Sequence, residues 1–311
     1  MSKLERLKVV LAKTEATYGT DAAPTGVANA MLLQNWKMTP LAAQDVKRKR
    51  ELPFFAAPDN YLAGEYVEMS FDVELIGNAA KGTVPRWSAL AQACGLGETA
   101  VAATSVTYNP VSSGHKSATI HFYMDGLKHS VTGCRAKDAK IKLDVLGLPM
   151  LSVTMWGLYN EPVDVANPAA TLTGFPEPEL VSNANTPVFA IGGVALPLRS
   201  FELDIGNRTV LRELVGSKEI IITDREAVIA ATVELQPVAT FNPFALAFSK
   251  TSQAVVLTHG TAANRIVTIN AATARMNKPG AYTEQDGVVE QSLALSCRPN
   301  AGSDEFSIVL T

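Results

Sequence analysis

From residue 67 the chain reads Val67-Glu68-Met69-Ser70-Phe71-Asp72-Val73-Glu74-Leu75, with every odd position apolar and every even position polar. Successive side chains of a strand point to opposite sides, so this period of two predicts a β-strand with one face in a core and one in water. The same alternation recurs at 32–38, 118–124, 139–145 and 151–156. After a long gap it returns at 194–205, 227–235, 254–257, 265–269 and 292–297. The chain is therefore predicted to be mainly β. Two segments break the period. Residues 84–95 carry Pro85 near a helix start, apolar groups three and four apart, and Gly95 at the end; Phe241-Asn242-Pro243-Phe244 opens a second helical turn. Residues 1–13 suit either a helix or a short strand.

The order of these signals repeats. Arg50-Glu51-Leu52 precedes Val73-Glu74-Leu75 as Arg212-Glu213-Leu214 precedes Val233-Glu234-Leu235, and the helical segments follow in both halves. The run starting at Gly147-Leu148 matches that starting at Gly287-Val288. An internal duplication follows from order and spacing rather than from identity. The length of 311 residues fits two domains. The expected organisation is an N-terminal arm at 1–30, a first domain at 31–160, an extended proline-rich linker at 161–192 and a second domain at 193–311. Each domain is expected to be a β-sandwich or barrel with a short flanking α-helix.

Several function classes are disfavoured. The 27 basic and 30 acidic side chains leave a net charge of −3, so no global positive field holds nucleic acid. No apolar run approaches the roughly 20 residues of a membrane helix, and no leader pattern opens the sequence, so a chain made in the cytoplasm without membrane insertion is expected. Cys94, Cys134 and Cys297 lie too far apart for a zinc clip or redox pair and read as reduced core thiols. The four histidines, His115, His121, His129 and His259, show no metal-site spacing. No phosphate loop or nucleophile elbow is present. The expectation is no catalytic residue, no metal and no cofactor. Trp36, Phe71 and Trp156 are assigned to apolar strand faces.

Two features ask for a role beyond packing. Lys47-Arg48-Lys49-Arg50, flanked by Asp45 and Glu51, is either a solvated loop or an ion-pair strip reaching a neighbouring subunit. The segments 39–64 and 206–223 are too long and polar for compact turns and are read as long hairpin loops with a function. Residues 17–29, dense in turn formers, read as an extended arm lying on something else.

The arm Thr17-Tyr18-Gly19-Thr20-Asp21-Ala22-Ala23-Pro24-Thr25-Gly26, the strand Met31-Leu32-Leu33-Gln34-Asn35 and the alternating strand at 67–75 together resemble the major tail tube proteins of long-tailed bacteriophages. The resemblance runs on through Val106-Thr107-Tyr108-Asn109-Pro110-Val111-Ser112-Ser113, Met124-Asp125-Gly126, Asn185-Thr186-Pro187 and Leu203-Asp204-Ile205-Gly206-Asn207. It covers almost the whole chain, and its specificity lies in the order of the motifs.

That resemblance implies tail-tube-type sandwiches in ring subunits stacked into a hollow tube. A chain with two such domains is expected to form trimeric, pseudo-hexameric rings. With four lumen strands per domain, 24 strands at ~4.8 Å spacing and ~40° tilt give a circumference of roughly 150 Å. The bore is then about 38 Å after side chains, against about 20 Å for a DNA duplex.

The expected lumen-facing residues are Glu68, Ser70, Asp72, Glu74, Glu202, Asp204 and Glu234, a wall of net negative potential, with plain solvent-facing ion pairs as the competing reading. Lys47, Arg48, Lys49, Arg50, Glu51, Arg212 and Glu213 are the expected inter-subunit residues. The arm, the linker and the long loops are expected to lie across neighbours above or below. Implied partners are further copies of the chain, a tape-measure protein, tail terminator and tail-tip or baseplate proteins, and DNA only in transit. The implied location is the virion tail of a siphovirus-type phage. A two-domain binding or adhesion protein of a tail tip is the alternative, with a hydrolase third.

Overall fold

The computed structural model describes residues 3–77, 80–263 and 265–311. The first half runs β1 (Lys8–Thr14), α1 (Gly26–Asn29), β2 (Ala30–Met31), β3 (Gln34–Arg48), β4 (Asp59–Glu74), α2 (Ser88–Ala93), β5 (Leu96–Val101), β6 (Ser105–Pro110), β7 (Ala118–Met124), β8 (Leu127–Asp144), β9 (Met150–Leu158) and β10 (Val163–Asp164). The second half runs β11 (Val188–Ile191), β12 (Val194–Ala195), β13 (Leu198–Asp204), β14 (Asn207–Leu214), β15 (Ser217–Arg225), β16 (Val228–Glu234), α3 (Pro243–Ser249), β17 (Ser252–His259), β18 (Val267–Met276), β19 (Tyr282–Gln285), β20 (Val288–Ser296) and β21 (Ser307–Leu310). The fold is two tandem β-sandwich domains, with α2 flanking the first and α3 the second.

The alternating strands sit as their period demands. In β4, Val67, Met69, Phe71 and Val73 are buried while Glu68, Ser70, Asp72 and Glu74 are half exposed. The central strand of the first domain is β8, long enough to serve two layers. Its first part pairs with β7, and its last part with β9. Register shifts between Thr132 and Arg135 and between Ala136 and Asp138 mark the bend, the usual means by which a strand changes sheet. Gly133 lies in this bend at φ +60°, where an added Cβ would stand 2.8 Å from the Tyr18 ring. The β7–β8 and β19–β20 turns are Asp-Gly pairs with positive φ at both residues, the tight-hairpin chemistry that matches strand twist.

One layer is continuous through both halves. Strands β3, β4, β9, β8, β13, β16, β20 and β19 are hydrogen-bonded neighbours in that order, eight strands of which the first four come from the first domain. The domains meet where Lys140–Asp144 of β8 pairs antiparallel with Ser200–Asp204 of β13. The opposite layer also joins them, because β21 at the end of the second domain pairs with β18 on one side and with β6 on the other.

Several expectations need correction. β1 pairs along its whole length with β7, so the ambiguous opening is a strand of the first sandwich and not part of an arm. β11 likewise pairs with β17 and belongs to the second sandwich, not to the linker. Residues 17–29 lie on their own chain. The buried Glu15 carboxylate accepts from the Gly19 and Gly133 N–H groups and from the Ser117 and Thr119 hydroxyls, and Asp21 pairs with His121 at 2.9 Å. The connector is also held by the chain itself, through Val181 N–H to Gly147 O and Thr171 N–H to Gly26 O, each at 2.9 Å. Local polar satisfaction, which composition does not display, fixes both segments. The hairpin segments 39–64 and 206–223 are paired over much of their length, since β3 and β4 run on past the sheet and β14 pairs with β15.

Candidate assembly surfaces

The eight-stranded layer turns one face outward, and all seven expected lumen residues stand on it. Glu68 accepts a hydrogen bond from Trp156 Nε1 at 2.6 Å and lies 3.6 Å from Lys137. Asp72 accepts from Asn35 Nδ2 at 2.6 Å and Glu74 from Gln34 Nε2 at 3.0 Å. Ser70 faces Thr154 across β9. Glu202 and Asp204 share Lys140, at 2.9 and 3.1 Å, across the β8–β13 junction, and these bonds push the Lys140 pKa up. Asp138 stands beside this group, with Lys140 offsetting part of the cost of its burial. Its pKa is raised by burial and then by the charge of Asp204. Glu234 is exposed at the end of β16, opposite Glu290. Trp156 belongs to this face as well, packed on Tyr66 and beneath Lys137, because Leu151, Val153 and Met155 take the buried side of β9. Its assignment to an apolar face is thereby corrected.

The second surface is a joint already made inside the chain. The β14–β15 hairpin leaves the long sheet at a corner formed by Gly206, at φ +69° and so close to Glu226 that a Cβ would stand 1.9 Å from the Glu226 carbonyl oxygen. No residue with a side chain fits there. Beyond the corner the hairpin folds onto the first domain. Asn207 Nδ2 donates to Cys94 O at 2.7 Å, beside the end of α2, and Thr209 Oγ1 donates to Ala136 O at 2.7 Å. Ile220 and Ile222 are buried in the contact.

Its anchor is Arg135, whose side chain is 8% exposed. One terminal nitrogen donates to Glu219 at 2.8 Å and to Ile220 O at 2.5 Å, the other to His115 O at 3.1 Å. The guanidinium stacks 4.7 Å from the Tyr18 ring centre. The Tyr18 oxygen accepts from Ile220 N–H at 2.7 Å, and burial pushes the phenol pKa up to about 12. At the base of the hairpin, Arg225 donates to Val111 O and to Glu305, tying the β5–β6 side of the first domain to the C-terminal segment.

The third surface is open. β3 hydrogen-bonds only to β4, and β19 only to β20, so the long sheet ends in two unpaired edges among the described residues. The outer part of the β3–β4 hairpin is exposed, Phe54, Phe55, Tyr61 and Leu62 included. The basic run sits here. Lys47 and Arg48 pair in register with Asn60 and Asp59, Arg50 is ion-paired to Asp59, and Lys49 and Glu51 are exposed. Arg212 and Glu213 occupy the matching place on β14, but that hairpin is engaged with its own chain, with Lys218 bridging Glu65 at 2.7 Å and Glu213 at 3.6 Å.

Sequence reasoning missed Arg135, Tyr18 and Gly206. Arg135 is one charge among several in Ser130-Val131-Thr132-Gly133-Cys134-Arg135-Ala136-Lys137-Asp138, and no spacing sets it apart.

Tandem sandwiches sharing one long sheet, with a charged outer wall and two unpaired edges, define a structural building block. The family model for phage tail tube proteins matches residues 6–297, nearly the whole chain, and the protein belongs to that family. It is a structural protein of the virion tail, where copies build a tube. A search of the curated proteins finds no match.

Proposed function

We propose that three copies close into a pseudo-hexameric ring and that such rings stack into the hollow tail tube of a siphovirus-type phage, through which DNA reaches the host. The observation that carries this reading is the β8–β13 junction. Within the chain, β8 at the edge of the first domain's four strands pairs with β13 at the edge of the second domain's four. The same two kinds of edge stand open at the ends, β19 beside β20 and β3 beside β4. Three copies joined β19 to β3 give 24 strands around the axis, the number that yields a bore of about 38 Å.

The polar face with Glu68, Ser70, Asp72, Glu74, Glu202, Asp204 and Glu234 then lines the lumen, where carboxylates repel phosphate and let DNA slide. A tape-measure protein occupies that lumen before DNA does, and terminator and tip or baseplate proteins close the ends. The test is electron microscopy of purified protein, with native mass spectrometry of the smallest ring. Hollow rods and a ring of three 33.1 kDa chains are expected. Six chains around the axis, or a protein that never polymerises, would overturn it.

A further inference from the structure

Within the long sheet the two domains correspond strand by strand through their pairing. Met69 of β4 faces Met155 of β9, and Ile229 of β16 faces Leu295 of β20. One step along, Trp156 faces Arg135 on β8, and Ser296 faces Arg275 on β18. Arg275 therefore stands in the second domain where Arg135 stands in the first. The helix ends correspond as well, with Cys94 capping α2 and Lys250 capping α3.

In the first domain this place is filled by the β14–β15 hairpin. In the second it is a cavity of about 680 Å³, lined by Phe244, Phe248, Lys250, Arg275, Met276 and Lys278 among others. Phe248 is 88% exposed. Arg275 Nε is buried without a hydrogen-bond partner, and among the described residues no carboxylate is ion-paired to Arg275, Lys250 or Lys278.

The chain also carries the matching unplaced hairpin. β3–β4 precedes the first domain's helix as β14–β15 precedes the second's, and Arg48 faces Asp59 across it as Arg212 faces Glu219. Leu41 occupies the position of the corner Gly206, because Thr39 faces Glu68 as Asp204 faces Val228. Leu41 cannot take up the tight corner that Gly206 forms, and the register shifts between Thr39 and Ala42 and between Ala42 and Gln44 leave the two strands paired outward as far as Arg48 and Asp59. Its exposed apolar end includes Phe54 and Phe55.

We infer that the β3–β4 hairpin of one copy seats in the α3–Arg275 socket of the next copy, reproducing between chains the joint that β14–β15 makes within one. Asp59, the counterpart of Glu219, gives up its exposed pair with Arg50 and accepts from Arg275, while the Phe54–Phe55 end covers Phe248. The inference rests on the ring reading above and adds the partner surface to it. The repeat is incomplete on the other layer, since no strand pair corresponding to β5–β6 lies between α3 and β17. The joint repeated between copies is thus the inner one.

The test uses polymerised full-length protein prepared from a mixture of isotope-labelled and unlabelled chains, treated with an amine-reactive cross-linker. Mixed-label links from Lys47 or Lys49 to Lys250 or Lys278 are expected. Rods whose hairpin lysines link only to other sites would overturn the docking and leave the tube standing. Absence of rods would overturn both. A second measurement uses Phe248→Asp, which changes an exposed side chain. It is expected to leave the melting temperature of the monomer unchanged and to cut rod yield at least tenfold, and wild-type rod yield in this variant would remove Phe248 and its socket from the contact.

Discussion

Arg135 of the first domain and Glu219 of the second stand 2.8 Å apart, with the arginine side chain 8% exposed and the glutamate 37%. A nearly buried guanidinium that loses its partners is far costlier than the net worth of the pair, because its desolvation is no longer offset. The contact therefore measures how firmly the hairpin is held.

Arg135→Ala also deletes two hydrogen bonds to carbonyls and the stack on Tyr18. Removing Arg135 strips the hairpin of its anchor, and Glu219→Gln leaves the buried cation uncompensated. A loss of about 3–5 kcal/mol is expected for either change, with Glu219→Gln at the low end because its side chain reaches solvent. Denaturant unfolding checks this. An effect under 1 kcal/mol for Arg135→Ala would show that the hairpin is held mainly by Ile220 and Ile222.

Gly206→Ala places a methyl group against the Glu226 carbonyl at a positive φ. The destabilisation should exceed about 1 kcal/mol, since the native conformation excludes the new side chain. Hydrogen exchange should rise first along 207–225. Unchanged exchange there would mean that the corner relaxes without moving the hairpin.

Burial lowers the pKa of His121 and of His259, with Asp21 and Glu179 opposing it in part. Both rings are thus neutral in the fold where the unfolded chain, with its ordinary value of 6.5, takes up protons. Their contribution is present above that value and is lost as pH falls through the lowered folded values. The low Asp21 pKa has the same sign at more acidic pH, while the raised Asp138 pKa acts against it. The melting temperature should be lower at pH 5 than at pH 7.5, and His259→Gln should flatten the slope. A melting temperature that rises on acidification would contradict the assignment.

All three cysteines are buried and free, and burial pushes the thiols of Cys94 and Cys297 up to about 12. Thiolate is the reactive form, so an aromatic disulfide reagent should titrate no thiol in the native chain at pH 8 and three after unfolding. A native thiol that reacts within minutes would place one of them at the surface.

Glu68→Lys, Asp72→Lys and Glu74→Lys together reverse three charges on the polar face of the long sheet. Rods should still form, because these side chains stand away from the core. They should retain DNA with an affinity that falls steeply as salt rises, where wild-type rods retain none. Equal DNA retention by both would remove this face from the path of the DNA.

The strands of the long sheet were legible because each buries one face only, so 67–75 and 151–156 print their geometry in the order of residue types. The offset between Gly147 and Gly287 also survives in the structure, since the same offset relates Trp156 to Ser296. What stayed hidden was pairing between distant segments. The alternation pattern does not distinguish β14–β15, folded back on the first domain, from β3–β4, which projects. The difference lies in one corner residue, Gly206 against Leu41. Composition likewise could not reveal that the polar segment 17–29 meets a buried Glu15, because acceptors and donors satisfied at long range look like any other polar residues.

The connector has a mechanical consequence. In a closed triad of chains, three of the six seams between sandwiches are bridged by continuous backbone, and the other three are held by contact alone. Hoop strength would alternate around the circumference, so a cylinder loaded from within should split along three lines rather than six. The covalent seams also form without any bimolecular encounter, so a ring of three chains assembles with fewer than half the collisions that a ring of six single-sandwich chains requires.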